Sequence, residues 1–269
     1  MASIHHANFL RMSRIQPLFQ LNDKVAIVTG ASKGIGASIA RGLAEFGARV
    51  VISSRKQDSV DAVAEELRQE GLEATGIACH VGQPEQLKRL VEQTVATYGG
   101  VDILINNAAT NPAFGPISEA DDALFDKVME INVKAPFQLA NLVFPIMKER
   151  GGGSVINISS VEGLKPSFGL GLYSVSKSAL IMLTQNQAKE WAAAGIRANA
   201  ICPGLVKTKF SAALWQNDAI MDTIKKHLPA GRMAQPDEMA GLAIFLASEA
   251  SSYTTGGIFT ADGGHMIAG

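Results

Sequence analysis

A chain of 269 residues carrying 24 basic and 25 acidic side chains has room for one large α/β core or two small domains. Charges nearly cancel and no basic cluster stands out, which speaks against a nucleic-acid or anionic-membrane partner. The apolar runs are broken by Gly, Asn and charges far short of a membrane span. Cys79 and Cys202 fit no CxxC or metal spacing, so a reducing compartment and no metal site are expected.

Residues 1–22 stand apart, with Arg11, Arg14, the pair His5-His6 and no acid before Asp23. They are expected to form a disordered N-terminal extension, with Met12 a sensible alternative start; a mitochondrial presequence would have similar composition. From Asp23 to Gly269 no shift in composition suggests a second domain.

Short apolar runs alternate with amphipathic stretches, the pattern of a parallel sheet wrapped by helices. Strands are expected at 25–28, 49–53, 75–79, 102–106, 155–158, 196–201 and 258–260. Helices are expected at 35–46, 60–70, from Pro84 to 98, and from 122 to 148. The fold class is therefore α/β: one doubly wound domain with a seven-stranded parallel sheet flanked by helices on both faces. The helix over 122–148 carries two apolar stripes, Phe125/Met129/Leu139/Val143/Met147 and Val133/Phe137/Phe144. One stripe must cover the sheet; the other calls for a subunit interface or a neighbouring helix.

Thr29-Gly30-Ala31-Ser32-Lys33-Gly34-Ile35-Gly36 is a glycine-rich turn between the first strand and its helix. Gly30 would allow the tight turn, Gly36 close helix–strand packing, and Ser32 to Ile35 would offer backbone N–H groups to a pyrophosphate. At the end of strand two stands Ser53-Ser54-Arg55-Lys56, with no acid before Asp58. An acid there would suit the ribose hydroxyls of NAD(H). Arg55, with Lys33 close by, suits the 2′-phosphate of NADP(H), which is the preferred cofactor.

Tyr173 and Lys177 are four residues apart, on one face of a helix. Reduction of a carbonyl needs a hydride on carbon and a proton on oxygen. Tyr173 could give the proton, an ammonium one turn away would lower its pKa, and Ser160 could orient the substrate oxygen. Asn132, with Pro136 close behind, could hold a water linking Lys177 to solvent. A protein that only sensed or scaffolded around a nucleotide would need neither Ser160 nor Tyr173.

These residues, in this order, resemble the short-chain dehydrogenase/reductase family from about Leu21 onward. The likeness rests on Thr29-Gly30-x-x-x-Gly34-x-Gly36, Asn106-Asn107-Ala108-Ala109, Asn132, Ser160, Tyr173-x-x-x-Lys177 and Pro203-Gly204. The resemblance implies a Rossmann-type catalytic domain with Asn132, Ser160, Tyr173 and Lys177 catalytic. It implies cofactor contacts from Val81, Asn107, Ala108, Tyr173, Lys177, Pro203, Gly204, Val206 and Thr208, and homotetramers, with a dimer the other option. His80 stands where an acid is common, and Ala109 replaces a usual glycine. Within the family the closest likeness is to the NADPH-dependent carbonyl/retinal reductases; the C-terminal Met266-Ile267-Ala268-Gly269 is no peroxisomal address, so the cytosol is expected.

Substrate selectivity is expected from 164–172 and from the segment at about 204–228. Leu164, Phe168, Leu170, Phe210 and Trp215 would form an apolar pocket. Glu162 is expected to point to solvent, and His227 and His265 to be surface or interface residues. The expected activity is reversible, NADP(H)-dependent interconversion of a ketone or aldehyde with an alcohol. A 3-oxoacyl-thioester reductase and a polyol or sugar-acid dehydrogenase are the rival enzymes, and an NADP(H)-sensing or scaffold protein the non-enzyme alternative.

Overall fold

The computed structural model describes residues 14–217 and 228–268, with 221, 222, 224 and 226 between them. Seven parallel strands form one sheet in the order β3-β2-β1-β4-β5-β6-β7. The strands are β1 (Val25–Thr29), β2 (Arg49–Ser54), β3 (Ala74–Ala78), β4 (Ile103–Asn106), β5 (Gly153–Ile158), β6 (Ile196–Pro203) and β7 (Ile258–Ala261). The order reverses between β1 and β4, and such a switch point opens a crevice at the carboxyl ends of the strands.

The helices are α1 (Gly34–Glu45), α2 (Gln57–Gln69), α3 (Pro84–Tyr98), α4 (Asp122–Met129), α5 (Ala135–Glu149), α6 (Gly171–Trp191), α7 (Ala212–Trp215) and α8 (Ala240–Ala247). Side chains alternate across each strand, so one sheet carries two cores. Val28, Ile52 and Ile105 pack with α1, α2 and α8, while Ile27, Val51 and Leu104 pack with α3, α5 and α6. The apolar octet of α8 has no helical stripe to betray it in sequence.

The stretch from 122 to 148 differs from the single regular helix expected. Between α4 and α5 lies a π turn, Glu130–Lys134, closed by the Ala135 N–H on the Glu130 carbonyl. Pro136 supplies the reason: it has no N–H for the carbonyl four residues back, that of Asn132, and its ring clashes in a regular turn. The stripes divide differently as well. Leu139, Val143 and Met147 are buried against the sheet, but Phe125 faces outward with Phe137. Phe144 finds its partner within the chain, stacking on Trp191 of α6 at 4.9 Å.

The boundary expected at residue 22 falls inside packed structure. Gln16–Phe19 form a 3-10 turn, Phe19 lies against Phe245, and Leu21 is buried in the core. The Leu21 N–H also donates to the Phe46 carbonyl at 2.8 Å, and burial of these apolar side chains favours the packed segment. The rest of that extension, residues 1–13, lies outside the described residues, as does His227.

Candidate active site

The cradle beside β1 is made mostly of backbone. A Cβ on Gly36 would lie 2.5 Å from Asn107 Nδ2 and 2.6 Å from the Gly30 carbonyl, so no side chain fits. Gly30 has φ +65°, and a Cβ there would meet Ala108 Cα at 2.9 Å. Helix α1 starts from Lys33 without a side-chain cap, which leaves its first N–H groups for a ligand. Thr208 closes the far side, its Cγ2 3.4 Å from where a Gly34 Cβ would stand. Nearby, Pro203 ends β6, a Gly204 Cβ would press on Asp262, and Val206 is buried where it bridges to Ala234. The bare glycines and uncapped α1 fit the pyrophosphate of a nicotinamide dinucleotide.

Ser32 Oγ donates to Ser54 Oγ at 3.2 Å, tying the glycine turn to the end of β2. Arg55 and Lys33 are exposed there, and no hydrogen bond or ion pair engages either among the described residues. Asn107 is committed to support: its Nδ2 donates to the Thr29 and Gly30 carbonyls. The N–H groups of Asn107 and Ala108 both donate to Thr29 Oγ1. Val81 packs against the lower core at the end of β3. His80 Nδ1 accepts from the Gly82 N–H at 3.1 Å, which makes its neutral form carry the proton on Nε2.

Four candidate catalytic residues converge at the ends of β5 and α6. The Ser160 hydroxyl lies within reach of the Tyr173 phenol, and the Lys177 ammonium sits 5.5 Å from the Tyr173 ring centre. Lys177 is 2 % exposed and donates to the Ile158 carbonyl at 2.8 Å. Burial pushes its pKa down to about 8, while the buried Cys202 thiol, pushed up to about 11, stays neutral beside it. Burial also pushes the Tyr173 phenol well above its usual range, opposed by the Ser160 hydrogen bond and reinforced by the Glu162 charge. Desolvation sets the direction of the Tyr173 shift, and the Lys177 charge expected to lower it is not among its causes. Asn132 closes the cluster from the π turn. Its side chain is fully used: Oδ1 accepts from the Thr110 N–H at 2.8 Å, and Nδ2 donates to the Thr110 carbonyl and to Ser176 Oγ.

Next to Tyr173 opens a cleft of about 130 Å³. Phe114, Ile117, Leu124, Val128, Leu170 and Leu172 line it together with Asn111 and Glu119, and among the described residues no Lys or Arg does.

The comparisons agree with this geometry. A family model described as "Enoyl-(Acyl carrier protein) reductase" matches residues 30–266. The rabbit (Oryctolagus cuniculus) "Dehydrogenase/reductase SDR family member 4" is 48% identical over 244 residues, covering 91% of this chain and 94% of that protein. Its human counterpart is 46% identical over 253 residues, 94% of this chain and 90% of that one. The chain belongs to the short-chain dehydrogenase/reductase family. Among solved members, a gluconate 5-dehydrogenase from Burkholderia cenocepacia in complex with NADP and tartrate superposes with a TM-score of 0.90 at 36% identity, covering 94% of this chain and 98% of that one. A 7α-hydroxysteroid dehydrogenase complexed with NADH and a 7-oxo bile acid gives 0.89 at 34%, over 93% and 96%. The protein is an oxidoreductase of this family, using a nicotinamide cofactor to interconvert carbonyl and alcohol groups.

The residues expected to form the substrate pocket fall in different places. Of the five residues named, Leu170 lines the cleft and Phe210 stacks toward Tyr173 with ring centres 6.1 Å apart. Phe168 is 80% exposed and Leu164 also faces outward. Trp215 braces its own segment, its Nε1 donating to the Thr208 carbonyl with Lys207 over the ring. The wall from Asn111 to Val128 was missed, although a Pro/Gly-rich connection after β4 at the carboxyl edge of the sheet was a signal for it. Glu162 does not point to solvent, because the next loop encloses it: its carboxylate accepts from Ser167 and Ser174.

Proposed function

We propose that the protein is an NADP(H)-dependent carbonyl reductase acting reversibly on apolar ketones or aldehydes. The cleft opening on Tyr173, with Phe114, Ile117, Leu124, Val128 and Leu170 along its walls, carries the reading on the substrate side. On the cofactor side the support is Arg55 and Lys33, neither of them partnered among the described residues, and no acid between Ser53 and Gln57. The residues proposed to hold the dinucleotide are the glycine turn, Arg55, Val81, Ala108, Tyr173, Lys177 and the segment Pro203 to Thr208.

Bound there, the reduced nicotinamide supplies the hydride. Tyr173 gives its proton to the carbonyl oxygen, and its raised pKa keeps it loaded as a phenol until that oxygen becomes basic. Ser160 orients and polarises the oxygen. Lys177 holds the positive charge that receives the phenolate when the proton has left. Pro136 frees the Asn132 carbonyl for a water that passes protons between Lys177 and solvent. Asn132 itself acts through its backbone, since its side chain is engaged.

A sugar-acid dehydrogenase is the second reading, favoured by the likeness to the gluconate enzyme. Among the described residues the cleft is lined by the acid Glu119 and by no cation, which weighs against a carboxylate substrate. Initial rates with NADPH and NADH over apolar ketones, retinal, gluconate and an acetoacetyl thioester test the choice. NADPH turnover on apolar carbonyls supports the proposal; activity confined to gluconate or the thioester replaces it. Arg55→Asp should shift the NADPH/NADH preference roughly ten- to a hundredfold toward NADH, the scale of one lost charged phosphate contact. An unchanged ratio rejects the cofactor assignment.

The proposed assembly is a homotetramer in the cytosol. Phe125 and Phe137 on α4 and α5, with Val175 and Met182 on α6, form an exposed apolar face suited to a second copy. Light scattering at micromolar concentration tests the first statement. A fluorescent fusion with and without residues 1–22 tests the second.

A further inference from the structure

Glu162 belongs to neither the hydride nor the proton path, yet it is the most heavily used carboxylate near Tyr173. Its Oε1 accepts from Ser167 Oγ at 2.7 Å, and its Oε2 from the Ser167 N–H at 2.8 Å and from Ser174 Oγ at 3.2 Å. Helix α6, which carries Tyr173, has no side-chain cap at Leu170 and no acid in its first turn. Glu162 reaches that uncapped end from outside the helix through Ser174 Oγ. Ser167 lies in the loop that leads to α6. Two residues on, the Gly169 carbonyl accepts from the Gly115 N–H at 3.1 Å, and a Cβ on Gly169 would lie 2.6 Å from the Phe114 ring. The Glu162 backbone N–H donates to Ser160 Oγ at 3.1 Å. That bond occupies a lone pair of the hydroxyl and leaves its hydrogen to donate.

We propose that Glu162 is a positioning residue that holds the 164–170 loop against Phe114 and so sets the shape of the substrate cleft. The carboxylate bonds the loop at Ser167 and α6 at Ser174, so one side chain fixes the distance between the cleft wall and the proton donor. This rests on the reading of that cleft as the carbonyl site. The glutamate carboxylate is taken up by Ser167 and Ser174. Its effect reaches the chemistry through the loop.

The test compares Glu162→Ala with Glu162→Gln, whose amide keeps one oxygen to accept from Ser167 and removes the charge. Glu162→Ala should raise KM for a bulky apolar ketone about tenfold, the loss of one or two hydrogen bonds to a charged group, with kcat changed less than about threefold. NADPH affinity by fluorescence should stay unchanged, and hydrogen exchange of the 164–170 amides should quicken. Glu162→Gln should recover most of the KM. The proposal is overturned if Glu162→Ala leaves KM and exchange as they were, or if kcat and NADPH affinity fall together with KM. It is also overturned if the Gln variant is as impaired as Ala, since charge rather than position would then matter. Should the unmutated protein turn over no apolar carbonyl, the functional reading fails by itself. The exchange comparison still decides the role of Glu162.

Discussion

The cradle beside β1 and the cleft beside Tyr173 share the carboxyl edge of one sheet, yet their walls are made of different material. The cradle is backbone and glycine, with contacts so close that an added methyl on Gly36 has nowhere to go. The cleft is walled by side chains from 111–128 and 169–173, with Phe114 and Phe168 mostly exposed. A surface built from backbone suits the one ligand part common to all dinucleotides. A surface built from exchangeable side chains suits a substrate that differs from member to member.

Tyr173→Phe separates the two regions most sharply. It should cut kcat by about a thousandfold, within the usual range for a lost proton donor, while NADPH affinity measured by fluorescence stays within about threefold. Equal loss in both would place the tyrosine in the cradle alone.

Lys177 gives the next largest effect, read as stability against pH. Unfolded, the ammonium keeps its proton up to 10.5; folded, it releases it near 8. The unfolded state therefore binds more protons between those values, and stability rises with pH across that window. The burial cost is complete below pH 8. Denaturation at pH 8 and pH 10 should show the native protein gaining about 2 kcal/mol on Lys177→Met. A constant gap would mean the amine is not desolvated.

In the cradle, Gly36→Val should cost about 1–3 kcal/mol by overpacking and weaken dinucleotide binding, measured by thermal melting with and without NADPH. In the cleft, Phe114→Ala should raise KM for bulky apolar ketones about tenfold and leave small ones unchanged, as removal of one aromatic wall implies. If the valine were harmless and the alanine crippling for every substrate, the contrast between the regions would be reversed.

Short-range physics made much of this protein legible in its residues. Apolar runs of strand length announced the sheet, glycines announced a turn with no space for Cβ, and a four-residue spacing put Tyr173 and Lys177 on one helical face. The irregular turn that holds Asn132 was not expected, although Pro136 is its local cause. Each of these depends on neighbours a few positions away, so the chain carries the information locally. Other features were decided only when distant segments met. The 111–128 wall faces 169–173, Glu162 reaches Ser167 and Ser174, and Phe144 stacks on Trp191. The direction of the Tyr173 and Lys177 pKa shifts belongs with them, because desolvation is set by everything that surrounds a group and not by the residue four places along.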